Sequence, residues 1–129
     1  YINFDTVGTS STGNIRIVIG DSGGFETSGY LGCAGGNSGT NANATTYGGE
    51  SFIFVNTLVA AYGWHGLAIL TLGDATNNTW HCLGCSGTNA GNSDFTGGLK
   101  SLSGVLTQIK LTTNTGAFDT GAASVSYST

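Results

Sequence analysis

Gly104-Val105-Leu106-Thr107-Gln108-Ile109-Lys110-Leu111 runs into Thr112-Thr113-Asn114-Thr115-Gly116-Ala117-Phe118-Asp119-Thr120-Gly121 and ends in Ala122-Ala123-Ser124-Val125-Ser126-Tyr127. Successive side chains of an extended chain point to opposite sides, so Val105, Thr107, Ile109 and Leu111 share one face and Gln108, Lys110 and Thr112 the other. Beyond a turn rich in Asn and Gly, Ala123, Val125 and Tyr127 repeat the alternation. The spacing predicts a β-hairpin with one side in water, and so an antiparallel sheet.

The same two-residue period recurs upstream. Residues 1–7 alternate with Ile2 and Phe4 on one face, and residues 14–19 with Ile15, Ile17 and Ile19 inward and Arg16 outward. Residues 25–31 make a weaker strand. Residues 51–55 and 64–72 are apolar on both faces, and the longer run reads as a central strand covered by a second sheet or by a neighbour. Residues 79–86 follow after a turn at 73–78. Two polar stretches, Gly35 to Ala44 and Gly87 to Gly98, offer almost nothing to bury and are expected to be long surface loops. No window of about twelve residues carries a 3.6-residue period, so helices should be short or absent. About eight short strands joined by turns imply an all-β fold, an antiparallel β-sandwich of jelly-roll type.

Composition narrows the function. The chain has 129 residues, enough for one domain with a real core. Gly occurs 23 times and Pro not at all, while 39% of residues are hydrophobic and only 8% charged. Periodic Ile, Val, Leu and Phe argue for a folded chain, with Gly, Ser, Thr and Asn supplying the turns. Three basic residues, Arg16, Lys100 and Lys110, face seven acidic ones, for a formal charge of −4. Displacing counterions from nucleic-acid phosphates takes several Lys or Arg, so nucleic acid is not an expected partner. No apolar run approaches the roughly 20 residues that span a bilayer, so no membrane partner is expected either. Sparse charge leaves little repulsion between copies, which suits a subunit of an assembly.

Several motifs invite chemistry. Gly20-Asp21-Ser22-Gly23-Gly24 spells the nucleophile signature of chymotrypsin-like proteases, but those enzymes need two barrels and a histidine before the serine, whereas His65 and His81 both follow Ser22. The expected role of this segment is a tight turn, with Asp21 accepting backbone bonds and Gly23 or Gly24 at positive φ. Cys82 and Cys85 form a C-x-x-C pair whose members point to opposite faces of a strand. With Cys33 they are expected to be small buried strand residues, a bridge from Cys33 to either remaining open. Glu26, Glu50, Asp74, Asp94 and Asp119 show no spacing that sets two carboxylates across a cleft. Asp74 and Asp119 suit turns, and Asp74 with Asn77 and Asn78 lacks the spacing of a calcium loop. We therefore expect no catalytic residue, no cofactor and no metal. Trp64 and Trp80 are expected in the core, whereas Tyr47 and Tyr62, beside Gly-rich turns, are candidate surface recognition residues.

Thr107-Gln108-Ile109-Lys110-Leu111, then Gly116-Ala117-Phe118-Asp119-Thr120-Gly121, then Ser124, Ser126 and Tyr127 together resemble the closing segment of bacteriophage virion structural proteins. Ile15 to Gly24 followed by Glu26-Thr27-Ser28-Gly29-Tyr30 resembles a strand, turn and strand of the same family. The resemblance implies a β-sandwich that decorates a capsid or forms part of a head fibre or tail. Its partners would be copies of itself and other virion proteins, with a host surface glycan as a further possibility, and its location the virion. Because the chain begins with Tyr1, a sheet-completing strand is expected upstream or from a neighbour. The alternatives are a carbohydrate- or receptor-binding module with its site in the segments 35–44 and 87–98, and a subunit of a cellular extracellular filament.

Overall fold

Eleven strands, β1 (Ile2–Thr9), β2 (Gly13–Asp21), β3 (Gly24–Phe25), β4 (Tyr30–Ser38), β5 (Asn41–Gly49), β6 (Phe52–Leu58), β7 (Trp64–Asp74), β8 (Thr79–Thr88), β9 (Asn92–Ser101), β10 (Gln108–Thr113) and β11 (Phe118–Val125), divide between two antiparallel sheets. The structure is a computed structural model that describes residues 1–128, side chains of Thr57 and Leu58 excepted. The large sheet runs β11-β1-β7-β8-β9-β4-β5; the small one runs β10-β2-β3, with β6 also pairing β2. The all-β antiparallel sandwich is the expected class, and the described residues include no helix.

The strand count is eleven rather than eight, chiefly because the two polar stretches are hairpins and not loops. Residues 35–44 lie within β4 and β5, whose pairing runs unbroken from Tyr30↔Gly49 to Ser38↔Asn41 around Gly39, at φ 61. Residues 87–98 lie within β8 and β9, joined at residues 89–91, with Gly91 at φ 81 and the Thr88 hydroxyl accepting from Ala90 N and Asn92 N at 3.2 and 3.3 Å. Positive φ at a glycine is what such tight connections demand. Here the backbone ladder, rather than apolar alternation, holds the strands. Residues 25–31 likewise divide, β3 ending at Phe25 and β4 starting at Tyr30.

The closing segment also differs from its expected hairpin. β10 pairs β2 in the small sheet and β11 pairs β1 in the large one, so the two strands never meet. Their link crosses from sheet to sheet beside the β1–β2 crossing and is tied to it by Ser10 N to Ala117 O at 2.9 Å, Asn14 N to Asn114 Oδ1 and Thr115 Oγ1 to Thr12 O, both at 2.6 Å. Alternation identifies a strand but not its partner. Val105 precedes β10 and is 72% exposed, so the apolar face starts at Ile109 and Leu111, which pack against the core.

The core fills the space between the sheets. Ile15, Ile17 and Ile19 of β2 and Phe52 and Phe54 of β6 meet Ile2, Phe4, Trp64 and Ala68 of the large sheet, all fully or almost fully buried. Phe4 stacks on Phe54 across the sandwich at 4.3 Å, and Tyr30 meets Phe52 edge-on at 4.9 Å. The buried Tyr30 hydroxyl is satisfied by Ile19 N at 2.9 Å and Glu26 O at 2.9 Å, so a polar atom sits in the core without an unmet bond. Phe54→Ala removes the ring that bridges the sheets and is expected to cost about 3–5 kcal/mol in urea unfolding, whereas Val105→Ala at its exposed site should stay within about 0.5 kcal/mol.

Candidate interaction surface

Because β7, β8, β9 and β4 pair in register, their outward side chains fall into rows. Leu67, Cys85, Phe95 and Gly35 are aligned in one row. Ile69, Leu83, Gly97 and Cys33 make the next, and Thr71, His81, Leu99 and Leu31 the third. The alternate positions Ala68, Cys82, Thr96 and Ala34 face the core and are buried. Outward, Leu31 is 58%, Leu83 63% and Phe95 60% exposed. Apolar residues scattered singly over a surface are ordinary, whereas a contiguous set on one sheet face makes this face a candidate contact surface.

The same face lacks charge. The strands β7, β8, β9, β4 and β5 carry only Asp74, Asp94 and Lys100 as charged residues. Asp94 and Lys100 point inward and are buried, and Asp74 lies at the turn that ends β7. The outer face of the small sheet is built differently: Arg16 pairs with Glu50 at 3.5 Å, and Lys110 lies 5.2 Å above the Phe25 ring. Solvent-facing charge therefore guards one sheet and is missing from the middle of the other.

The residues singled out from the sequence are dispersed. Ser22 sits in the β2–β3 turn of the small sheet while His65 and His81 lie on the outward side of the large one, so the sandwich separates them. The turn is built as expected: Asp21 Oδ1 accepts from Gly23 N at 2.7 Å and Gly24 has φ 127. Asp74 likewise accepts from Thr76 N at 2.8 Å and Asn77 Nδ2 at 2.7 Å, bonds that hold its carboxyl below the usual range. Among the described residues no group of three His, Cys, Asp or Glu could hold a metal ion.

Tyr47 is a correction. It was expected at the surface beside a loop, but β5 is a strand whose odd positions face inward, and Tyr47 is 8% exposed. Its hydroxyl bonds Thr96 Oγ1 at 3.0 Å and Gly97 O at 3.2 Å, and burial pushes its pKa up to about 12. Tyr62 is half-buried against the core. The two tyrosines form no exposed platform. Trp64 is core as expected, and Trp80 is half-buried against it.

The cysteines are also a correction. Cys82 is buried, with burial pushing its thiol up to about 12, but Cys33 and Cys85 are exposed, and all three are free. Cys33 and Cys85 stand on β4 and β8 with β9 between them and two residues out of level, about 12 Å apart by strand spacing and rise. That exceeds the roughly 7 Å Cα separation a disulfide tolerates.

A polar cluster that no local motif announces joins residues far apart in the chain. Lys100 Nζ is ion-paired to Glu26 Oε2, donates to Ser101 O at 2.6 Å and lies 5.7 Å from the Tyr30 ring centre. The Ser103 hydroxyl lies 2.7 Å from Asp21 Oδ2 and 2.8 Å from Glu26 Oε1, and Ser103 N donates to Glu26 Oε1 at 2.6 Å. None of these side chains lines the cleft of about 580 Å³ near Trp80, Leu106 and Ile109. The cluster clasps the β2–β3 turn to the segment after β9. Comparison with protein-family models, curated proteins and solved structures finds no match.

Burial opposes charge on Glu26, yet the bonds from Lys100 and Ser103 outweigh it and hold the carboxyl below its ordinary value of 4.5. A folded-state value below the unfolded one stabilises the fold at pH above the unfolded value, and the contribution is lost as pH falls through the folded one. Urea midpoints are therefore expected to be flat near neutrality and to drop below about pH 4.5. Glu26→Gln should lower the neutral-pH midpoint and shrink that acid-dependent drop; an unchanged acid slope would show that Glu26 is not the group responsible.

Proposed function

We propose that this chain is a structural subunit of a phage particle, a capsid-decoration, fibre or tail component that acts through contacts between subunits. The observation that carries the reading is the uncharged apolar face of the large sheet, which an isolated soluble domain would leave in water. Burying such a face contributes roughly 25 cal/mol per Å², and so favours an assembled state. The likeness of the segments 15–30 and 107–127 to virion proteins supports the particle as the setting.

A carbohydrate-binding role has less support. The segments 35–44 and 87–98 that would serve as its loops are regular hairpins, and Tyr47 is turned into the core. The described residues include no helix long and apolar enough to cross a membrane.

Peptides of the chain should be found by mass spectrometry in density-purified, DNA-filled particles from the same source, and an antibody against the purified chain should label those particles. A glycan array should give no signal. Recovery from a cell-surface filament fraction, with none in particles, would replace the phage assignment, and a strong glycan signal would favour the binding module.

A further inference from the structure

The centre of the exposed face has a defined relief. Gly97 points outward from β9, and a Cβ placed there would meet nothing within 4 Å. The other outward glycines are less open: a Cβ at Gly35 would lie 2.7 Å from Asn43 O, and one at Gly87 3.4 Å from Asn92 O. The depression at Gly97 is flanked in its row by Leu83 and Cys33. Two residues back on the same strand, about 7 Å away, Phe95 stands out from the sheet. A knob and a hole thus lie side by side on one strand.

We propose that a second copy of this chain docks on this face, related by a twofold axis that lies between the two large sheets and crosses β9 at the level of Thr96. Phe95 of each copy then enters the depression over Gly97 of the other. The inference rests on the contact reading above and names the partner at that surface.

A twofold contact is self-complementary, so whatever one copy places over Gly97 the other must place as well. Phe95 and Gly97 satisfy that condition on one antiparallel pair of β9 strands. The five strands β7, β8, β9, β4 and β5 are nine to eleven residues long. At about 4.8 Å between strands and about 3.4 Å per residue they present a face of roughly 700 Å² before side-chain relief is counted. Standard stable interfaces bury about 600–1,000 Å² per partner, so a face of this size falls within that range. No Asp, Glu, Lys or Arg points out of it to be desolvated or to repel its own image. Sheets packed face to face lie about 10 Å apart, a gap that Leu31, Leu83, Phe95 and Leu99 from both sides can fill. Cys33 lies beside Gly97 and Cys85 beside Phe95, so the contact seals both thiols.

Sedimentation of the purified chain over a concentration series reads the pairing directly. The wild type is expected as a dimer, and Phe95→Asp and Gly97→Arg as monomers with unchanged far-UV circular dichroism, because both new side chains leave the fold toward solvent. An equimolar mixture of the two variants should dimerise again. One of its two equivalent contacts then pairs the introduced carboxylate with the introduced guanidinium, and the other keeps the native Phe95–Gly97 contact. Maleimide should label Cys33 and Cys85 in either variant alone and spare both in the wild type.

A wild-type chain that stays monomeric at every concentration overturns the proposal, as does a dimer that survives both substitutions or a pair of variants that stay apart when mixed. Thiols that react in the free chain but are protected in an intact particle would assign the face to a different protein, and equally overturn pairing with a second copy. A dimer that behaves as expected but is missing from particles would remove the phage reading and leave this one standing.

Discussion

A sheet has two faces, and in this chain the large sheet has only one of them covered. The small sheet and the core side chains of β2 and β6 close over the inner side, where Phe4 on Phe54 and Tyr30 on Phe52 join the layers. Seven strands are wider than the four that pack against them. The outward side of β7, β8, β9 and β4 is then left to water or to another protein. Each outward Leu or Phe is in a side-chain position fixed by the ladder, since a one-residue slip would turn Cys82, Ala34 and Ala68 outward and bury Leu83 and Phe95. The core and the exposed face are thus two consequences of one register.

That register was only partly legible in the chain. Alternating Ile in β2 and the apolar runs of β6 and β7 predicted their strands directly, because burying those side chains is what orders them. β5, Asn41-Ala42-Asn43-Ala44-Thr45-Thr46-Tyr47-Gly48-Gly49, contains nothing of that kind. It is a strand because Gly39 turns the chain back along β4 and each backbone group finds a partner there. Gly91 does the same for β8 and β9, and the Thr-Asn-Ala-Gly-Asn run at 88–92 was the available sign of a short connection. The partners of β10 and β11 had no local sign, since two strands adjacent in sequence can enter opposite sheets with the same alternation.

The exposed apolar face was legible in one strand and hidden in the others. Trp64-His65-Gly66-Leu67-Ala68-Ile69-Leu70 is apolar on both sides, which predicts cover from two directions, and the structure supplies it on the inner side alone. On β9, by contrast, Phe95 and Leu99 stand among Gly, Thr, Ser and Asp in a stretch that reads as a polar loop. Their alignment with Leu83 and Leu31 depends on pairings between residues 10 to 68 positions apart, which periodicity within one segment cannot reveal. The Glu26–Lys100–Ser103 clasp was hidden for the same reason, its partners being 74 and 77 positions apart.

A face without charge gives up the usual means of rejecting wrong partners. Like charges set opposite one another and edge lysines are how sheets avoid indiscriminate association, and the outward side of the middle of this sheet has neither. What remains to discriminate is relief: large Leu31, Leu83, Phe95 and Leu99 interspersed with Gly35, Gly97, Cys33 and Cys85. A flat apolar partner would bridge over Gly97 and leave its depression empty, forfeiting the dispersion contacts that a void removes from its lining. A partner with an aromatic ring at the matching place fills it. Shape can therefore supply the selectivity that electrostatics supplies elsewhere, provided the rows stay in register. The inward placement of Lys100, paired to Glu26, serves that end as well, since it keeps a charge off the face while anchoring the end of β9.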